Sequence, residues 1–394
     1  MFSRLAFGRL LLAAAAAFAA HAAAAPRPTL AEPTLSPDGA EIAFVSGGDI
    51  WTVPAAGGTA SLLVTDPATE GRPFYSPDGR ELAFTSNRGG GANIYVLTLA
   101  TGQLRRITYG DANELLDGWS RDGKWLYFGA PNNDVARQND IFRVPAAGGT
   151  PLEVSRERYL NEFNSAPSPD GQSIALMAKG TSSGQWWRNG HSHIDEAELW
   201  LKPIAANAPY RKLLGATSKR LWPMWRPDGR GLYFMSDEGG AENLWRLSLD
   251  PGAKPERITR FTDGRVLYPS IAYDGRAIVF EREFEIWKLD TATGAAARVP
   301  ITLRGAPAAA GERRLVESAF RSMAVSPDGK KVAVIAHGEV FATATKDGGQ
   351  AQRITETPGA ESDLAWAPDC RRLAFVSERG RSSQVMEYDF ATQK

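Results

Sequence analysis

Gly180-Thr181-Ser182-Ser183-Gly184 carries the Gly-x-Ser-x-Gly spacing of an acyl-transfer nucleophile. A serine in that setting works only on a sharp elbow between a strand and a helix, where its hydroxyl stands clear of the sheet. Here Gln185-Trp186-Trp187-Arg188 comes next, with no helical pattern, so Ser182 reads as part of a Gly-rich loop. A few residues on, His191 and His193 alternate as two imidazoles on one strand face would, with Asp195 and Glu196 beside them. Such a pair could share a metal, but no third His or Cys lies near, so no metal centre and no cofactor is expected. His337, between the apolar runs Val332 to Ile335 and Val340-Phe341, reads as a turn residue rather than a base. No catalytic residue is therefore assigned. What the insertion does offer is Trp186, Trp187, Arg188 and His191 on a projecting loop. Aromatic and guanidinium side chains on loops are the usual anchors of an interface, so these four are the expected contacts for a peptide or a protein partner.

The elements that would position them come from a phrase repeated eight times, a Ser-Pro-Asp-Gly turn followed by an alternating apolar run. It stands at Ser36 to Gly39, Ser76 to Gly79, Ser120 to Gly123 and Ser168 to Gly171, then more loosely at Arg226 to Gly229, Ala272 to Gly275, Ser326 to Gly329 and Ala367 to Cys370. Successive aspartates lie 40, 44, 48, 58, 46, 54 and 41 residues apart. Proline presets the backbone angle of the turn's second residue, and glycine accepts the left-handed conformation at its end. Runs such as Glu81-Leu82-Ala83-Phe84-Thr85-Ser86 have the period-two pattern of a strand with one buried face.

A second phrase keeps step: Asp49-Ile50-Trp51, Asn93-Ile94-Tyr95, Asp140-Ile141-Phe142, Glu198-Leu199-Trp200, Asn243-Leu244-Trp245, Glu285-Ile286-Trp287 and Glu339-Val340-Phe341. A third, Arg106-Ile107-Thr108, Arg257-Ile258-Thr259 and Arg353-Ile354-Thr355, supplies a fourth strand per unit. Four antiparallel strands at a period of about 40–50 residues are propeller blades, which must stack around an axis because one blade cannot bury both faces. The fold class is thus all-β, with Trp51, Trp200, Trp245 and Trp287 packing between blades and each turn aspartate serving its turn.

Six units run to Val299-Pro300-Ile301, and the Pro- and Ala-rich stretch at 304–312 reads as a linker. The expected organisation is a six-bladed propeller at 27–303 and the first two blades of a second, incomplete propeller at 313–394, the rival being one eight-bladed ring. The eighth unit reaches Lys394 without an Arg-Ile-Thr phrase. That is expected of a chain that is a piece of a longer protein.

The 394 residues carry 45 basic and 45 acidic side chains, so no basic excess points to nucleic acid. Residues 1–25 read as a cleavable signal peptide: Arg4 and Arg9, an apolar run from Leu10 to Ala20, and small residues at Ala22 to Ala25. Its removal leaves 43 basic against 45 acidic groups, and no later segment is apolar for long enough to cross a bilayer as a helix. Export to a bacterial periplasm is expected. Cys370 is the only cysteine, so no intrachain disulfide forms.

The repeats resemble those of the translocation protein TolB, of tricorn protease and of the prolyl-oligopeptidase family. The order of parts is most similar to tricorn-type proteases, which open with a six-bladed propeller, continue into a seven-bladed one and reach their catalytic domains later. Gln185 to Gly190 resembles the Trp-containing insertion of that family, and Arg260 to Asp290 its sixth blade. The resemblance implies a peptide-gating or peptide-binding propeller region of an exported serine peptidase. It also implies that the catalytic serine and histidine lie in domains beyond this chain, and that the whole protein assembles as a large homo-oligomer. A non-enzymatic, TolB-like protein-binding propeller is the second expectation. The propeller part of a prolyl-oligopeptidase-type enzyme is the third.

Overall fold

In a computed structural model, the protein is described over residues 28–304, apart from 133, 135–136, 181–186, 189–190, 193–195 and 206, and over 320–393, apart from 337, 347–350, 358 and 380–381. The leader and the 304–312 linker therefore lie almost wholly outside the described residues, as do Ser182, Trp186, His193 and His337. The chain divides into two compact units, Met1–Gly305 and Ala306–Lys394.

The turn phrase folds by its own side chains. Ser36 Oγ donates to Asp38 Oδ1 at 2.6 Å, the Ala40 N–H donates to the same oxygen at 3.1 Å, and Gly39 closes the turn at φ 70°. The same serine oxygen accepts the Glu41 N–H at 2.9 Å and so fixes the start of the next strand. Ser76, Ser120, Ser168 and Ser326 repeat the Ser–Asp bond. The serine hydroxyl holds the carboxyls of Asp38, Asp78, Asp122, Asp170 and Asp328 below the usual range, as an acceptor tied into a turn should be.

In the first unit these turns join the first two strands of six sheets, each with four antiparallel strands in chain order, the fourth sheet interrupted by a hairpin and the first carrying a fifth strand at its edge. The innermost strands are Ala31–Leu35, Glu70–Tyr75, Leu115–Trp119, Leu160–Pro167, Arg220–Trp225 and Leu267–Ile271. Each packs against the next, and the first packs against the sixth. One apolar cluster fills each of the six spaces between neighbouring sheets. Between the sixth and first it comprises Val279, Ile286 and Val299 with Ile42, Phe44 and Val53. Trp51, Trp200, Trp245 and Trp287 lie at the margins of four of these clusters, as the alternation predicts. Indole N–H groups also tie sheet to sheet: Trp119 donates to Phe74 O at 3.0 Å and Trp225 to Ala166 O at 2.9 Å.

Two details differ from the sequence reading. The Arg-Ile-Thr phrase ends the fourth strand instead of forming it. Gln103–Arg106 stops at the arginine, Ile107 is a buried plug, and the Thr108 hydroxyl accepts the Ile94 N–H at 2.9 Å. Thr259 and Thr355 do the same for Leu244 and Val340. Further on, Ile301–Leu303 is a strand that lies parallel to Gly58–Val64 on the outer edge of the first sheet.

The second unit holds a four-stranded sheet beginning at Ser322–Val325 and a three-stranded sheet of Glu361–Trp366, Arg372–Arg379 and Ser382–Asp389. They share a cluster of Ala333, Ile335, Val340, Leu373 and Phe375.

Candidate functional site: the axial cavity

Each innermost strand of the first unit breaks register once. The shifts fall at Ala31/Thr34, Gly71/Phe74, Phe163/Ala166, Leu221/Met224 and Leu267/Ser270, and at Asp117 in the third sheet. A bulge of this kind re-aims one side chain out of the pleat. Proline follows the bulged residue at Pro33, Pro73, Pro223 and Pro269, which a ladder tolerates because the bulge carries no hydrogen bond there. Glu32, Arg72, Asn164, Trp222 and Tyr268 hold φ of 51°, 51°, 49°, 53° and 47°. That left-handed backbone costs a side-chain-bearing residue roughly 1–3 kcal/mol, and such strain gathers at functional sites.

These five side chains and Asp117 line one cavity of about 180 Å³ on the axis of the six sheets. Half of its rim is self-neutralised. Arg72 donates to Asp117 Oδ1 and to Leu116 O, both at 3.2 Å, while Asp117 Oδ2 accepts the Ser165 N–H at 2.8 Å and its hydroxyl at 2.7 Å. Burial pushes the Asp117 carboxyl up despite the Arg72 charge. The other half is aromatic and anionic. Trp222 and Tyr268 meet with ring centroids 5.1 Å apart, tilted by 48°, and Glu32 follows Tyr268 in the ring. Burial first, and then the Glu32 charge, raises the Tyr268 hydroxyl.

The turn-side end of the cavity is lined by the second residues of four of the six turns, Arg121, Pro169, Pro227 and Tyr273. Four of the six turns have proline at that position; the third and sixth have Arg121 and Tyr273, which face each other across the axis. The Arg121 guanidinium lies 4.9 Å from the centre of the Tyr273 ring and donates to Tyr273 O at 2.5 Å, and the Tyr273 hydroxyl donates to Tyr75 O at 3.2 Å. These contacts bar that end. Burial raises the Tyr273 and Tyr75 hydroxyls, keeping both as donors.

The residues expected from sequence lie elsewhere. Trp187–Arg188 pairs with His191–Ser192 as a two-stranded hairpin, with Arg188 opposite His191; Trp186 falls outside the described residues. The hairpin interrupts the run from Ser173–Gly180 to Glu198–Pro203, and strand direction puts that connection on the face where the innermost strands begin. Among the described residues no group of three His, Cys, Asp or Glu is placed to hold a metal, and no helix is long and apolar enough to cross a membrane. The cavity residues were missed because their types differ. Their common signal is position, four residues before the turn's first residue in five of six sheets, with proline next in four.

Sheets stacked in succession about an axial cavity define a β-propeller. Residues 27–295 match the model of the tricorn protease N-terminal beta propeller domain, and the chain belongs to that family. It is 28% identical over 332 residues to tricorn protease homolog 1 of Streptomyces coelicolor, covering 83% of this chain and 30% of that protein. It is 30% identical over 311 residues to the uncharacterized protein Atu1656 of Agrobacterium fabrum, covering 72% of this chain and 92% of that protein. The crystal structure of the tricorn protease superposes with a TM-score of 0.65 at 19% identity, covering 93% of this chain and 35% of that one. The chain thus spans about a third of the length of the tricorn-type proteins it matches.

Proposed function

We propose that this chain is the peptide-binding and peptide-gating propeller region of an exported tricorn-type serine peptidase, with six blades in a first ring and the start of a second propeller after residue 312. Catalysis belongs to parts of the parent protein beyond this chain. The observation that carries this reading is the axial cavity: six bulged side chains of mixed chemistry line it, five of them at a cost in backbone strain, and Arg121 and Tyr273 bar one end. A passage controlled by side chains is what admitting or holding an extended peptide requires. The leader supports export to the periplasm. The hairpin bearing Trp187, Arg188 and His191 springs from the face opposite the barred end and suits a guide for the incoming chain.

A second reading, a protein-binding propeller without peptidase activity, draws support from the Agrobacterium relative, which this chain matches over 92% of its length. Two measurements separate them. A blot of the periplasmic fraction with antibody to residues 27–303 should show a band of ~100 kDa or more for the front of a peptidase. A band near ~40 kDa, at about 110 Da per residue, would sink the peptidase reading. The purified chain should bind unfolded peptides without cutting them; absence of peptide binding would leave only a protein partner.

A further inference from the structure

The rim of the cavity is electrically lopsided. Arg72 is spent on Asp117, and Arg265, the other arginine whose charge reaches Tyr268, sits 3.4 Å from Glu242. Glu32 has no cation within 4 Å among the described residues. One of its oxygens accepts the Arg72 backbone N–H, which fixes the carboxylate without neutralising it. Behind it stands Glu281, a second, buried carboxyl whose ionisation is opposed first by burial and then by Glu32 itself. Next to Glu32 around the ring comes Tyr268, then Trp222, the two aromatic faces tilted toward one another. Both rings stand on backbone at φ near 50°, where tryptophan and tyrosine are rarely tolerated.

A fixed carboxylate beside two aromatic faces is complementary to a cation. The carboxylate supplies charge, and the ring quadrupoles favour an ammonium or guanidinium over their faces. The cavity volume of about 180 Å³ has room for one side chain or chain end and not for a folded segment.

We infer that Glu32, Trp222 and Tyr268 form a subsite in the mouth of the axial cavity that takes a single cationic group of a peptide, an ammonium or a guanidinium. The inference deepens the peptide-binding reading above, and its peptide arm rests on that reading. A terminal ammonium and a basic side chain share this chemistry, and the ligands of the test tell them apart.

The test is calorimetric titration of the full chain. L-argininamide probes the cation alone, with N-acetyl-norleucine amide as its neutral match. Penta-alanine with a free or an acetylated N-terminus, and an acetylated, amidated Ala-Ala-Xaa-Ala-Ala with lysine or norleucine in the middle, probe the peptide. Argininamide should bind and its neutral match should not. At least one cationic peptide should bind about tenfold more tightly than its neutral twin. If the free terminus carries the preference, the subsite reads the chain end; if the lysine does, it reads side chains.

Glu32→Gln keeps the acceptor for the Arg72 N–H and removes the charge, so it should melt with the parent and erase the tenfold preference. Trp222→Leu should weaken argininamide several-fold and leave the neutral peptides alone. Peptides that bind regardless of charge, or a preference that survives Glu32→Gln, would overturn the subsite and spare the peptide reading. Argininamide binding that depends on Glu32 while no peptide binds would uphold the subsite and sink the peptide reading. No binding by any of these ligands would overturn both.

Discussion

Single residues can be judged here against their own repeats. Seven turns end in glycine at φ between 68° and 75°, but the eighth places Cys370 at φ 59°. A side chain in that region costs about 1–2 kcal/mol, so Cys370→Gly should raise the stability of the second unit by about 1 kcal/mol, read as a shift of its urea midpoint. A larger case is Asp140. At the equivalent strand start, Asn93 donates to Glu114 Oε2 at 2.8 Å and to Gly110 O at 2.9 Å, and Asn243 donates to Phe261 O at 3.1 Å. Asp140 is 1% exposed with both carboxylate oxygens unpartnered, close to the buried Glu162, whose Oε1 is also unpartnered. Burial, then neighbouring negative charge, pushes Asp140 from 3.8 up to about 7, and burial raises Glu162 from 4.5 to about 7. A carboxyl raised in the folded state binds its proton more tightly there than in the unfolded chain, so stability falls as pH climbs between the two values and stays low above them. The first unit should therefore lose stability from about pH 4 to pH 7. Asp140→Asn supplies the missing donor and should recover about 1–3 kcal/mol at pH 8, the cost of leaving buried polar groups unpaired, with a smaller gain at pH 5. An equal gain at both pH values would refute the buried-charge account.

At the scale of elements, legibility in the sequence depends on which signals are local. The Ser–Pro–Asp–Gly turn and the alternation after it are closed within a short stretch of chain, so the inner hairpin of every sheet could be read directly. The innermost strands could not, because the bulge breaks the period of two where the functional side chain sits. Glu32, Arg72, Asn164, Trp222 and Tyr268 share a backbone position and no side-chain type, and Asp117 stands one residue nearer its turn. The strand Ile301–Leu303 was invisible for another reason: its partner, Gly58–Val64, belongs to the first sheet, at the far end of the unit in sequence. That join has a geometric requirement of its own. Gly57 stands at φ 95°, its successor's N–H donates to Pro300 O at 2.8 Å, and a Cβ at Gly57 would fall 2.5 Å from that same oxygen. Gly148 occupies the matching turn of the third sheet at φ 96° with open space around it. Gly148→Ala should thus show backbone strain alone, about 1 kcal/mol. Gly57→Ala should cost about 1–3 kcal/mol more by displacing the Pro300 to Leu303 segment. Equal losses in the two variants would show that the parallel strand contributes nothing to holding the first sheet's edge.

For the whole molecule, closure is what separates the two units. In the first unit every sheet has a neighbour on both faces, because the cluster of Phe44, Val53, Val279 and Ile286 joins the last sheet to the first. Loss of any one sheet would expose two apolar faces at once, which makes unfolding of that unit cooperative. The second unit has two sheets and one shared cluster, and Met323 and Val325 on its innermost strand remain 67% and 51% exposed. Burial of apolar surface contributes about 25 cal/mol per Å², so a unit with a single sheet-to-sheet interface holds far less of it per residue. Differential scanning calorimetry should then resolve two transitions, the smaller at lower temperature. Limited proteolysis should cut after about Arg304, where the sequence turns Pro- and Ala-rich, and leave a resistant fragment of the first unit ending near Leu303. The first transition should vanish from that fragment and the second should keep its temperature, because the closed set of six sheets is complete without the second unit. A single transition for the whole chain, or uniform resistance through to Lys394, would mean that the eight repeats stabilise one another as one array, which is the eight-bladed ring and not the six-plus-two arrangement.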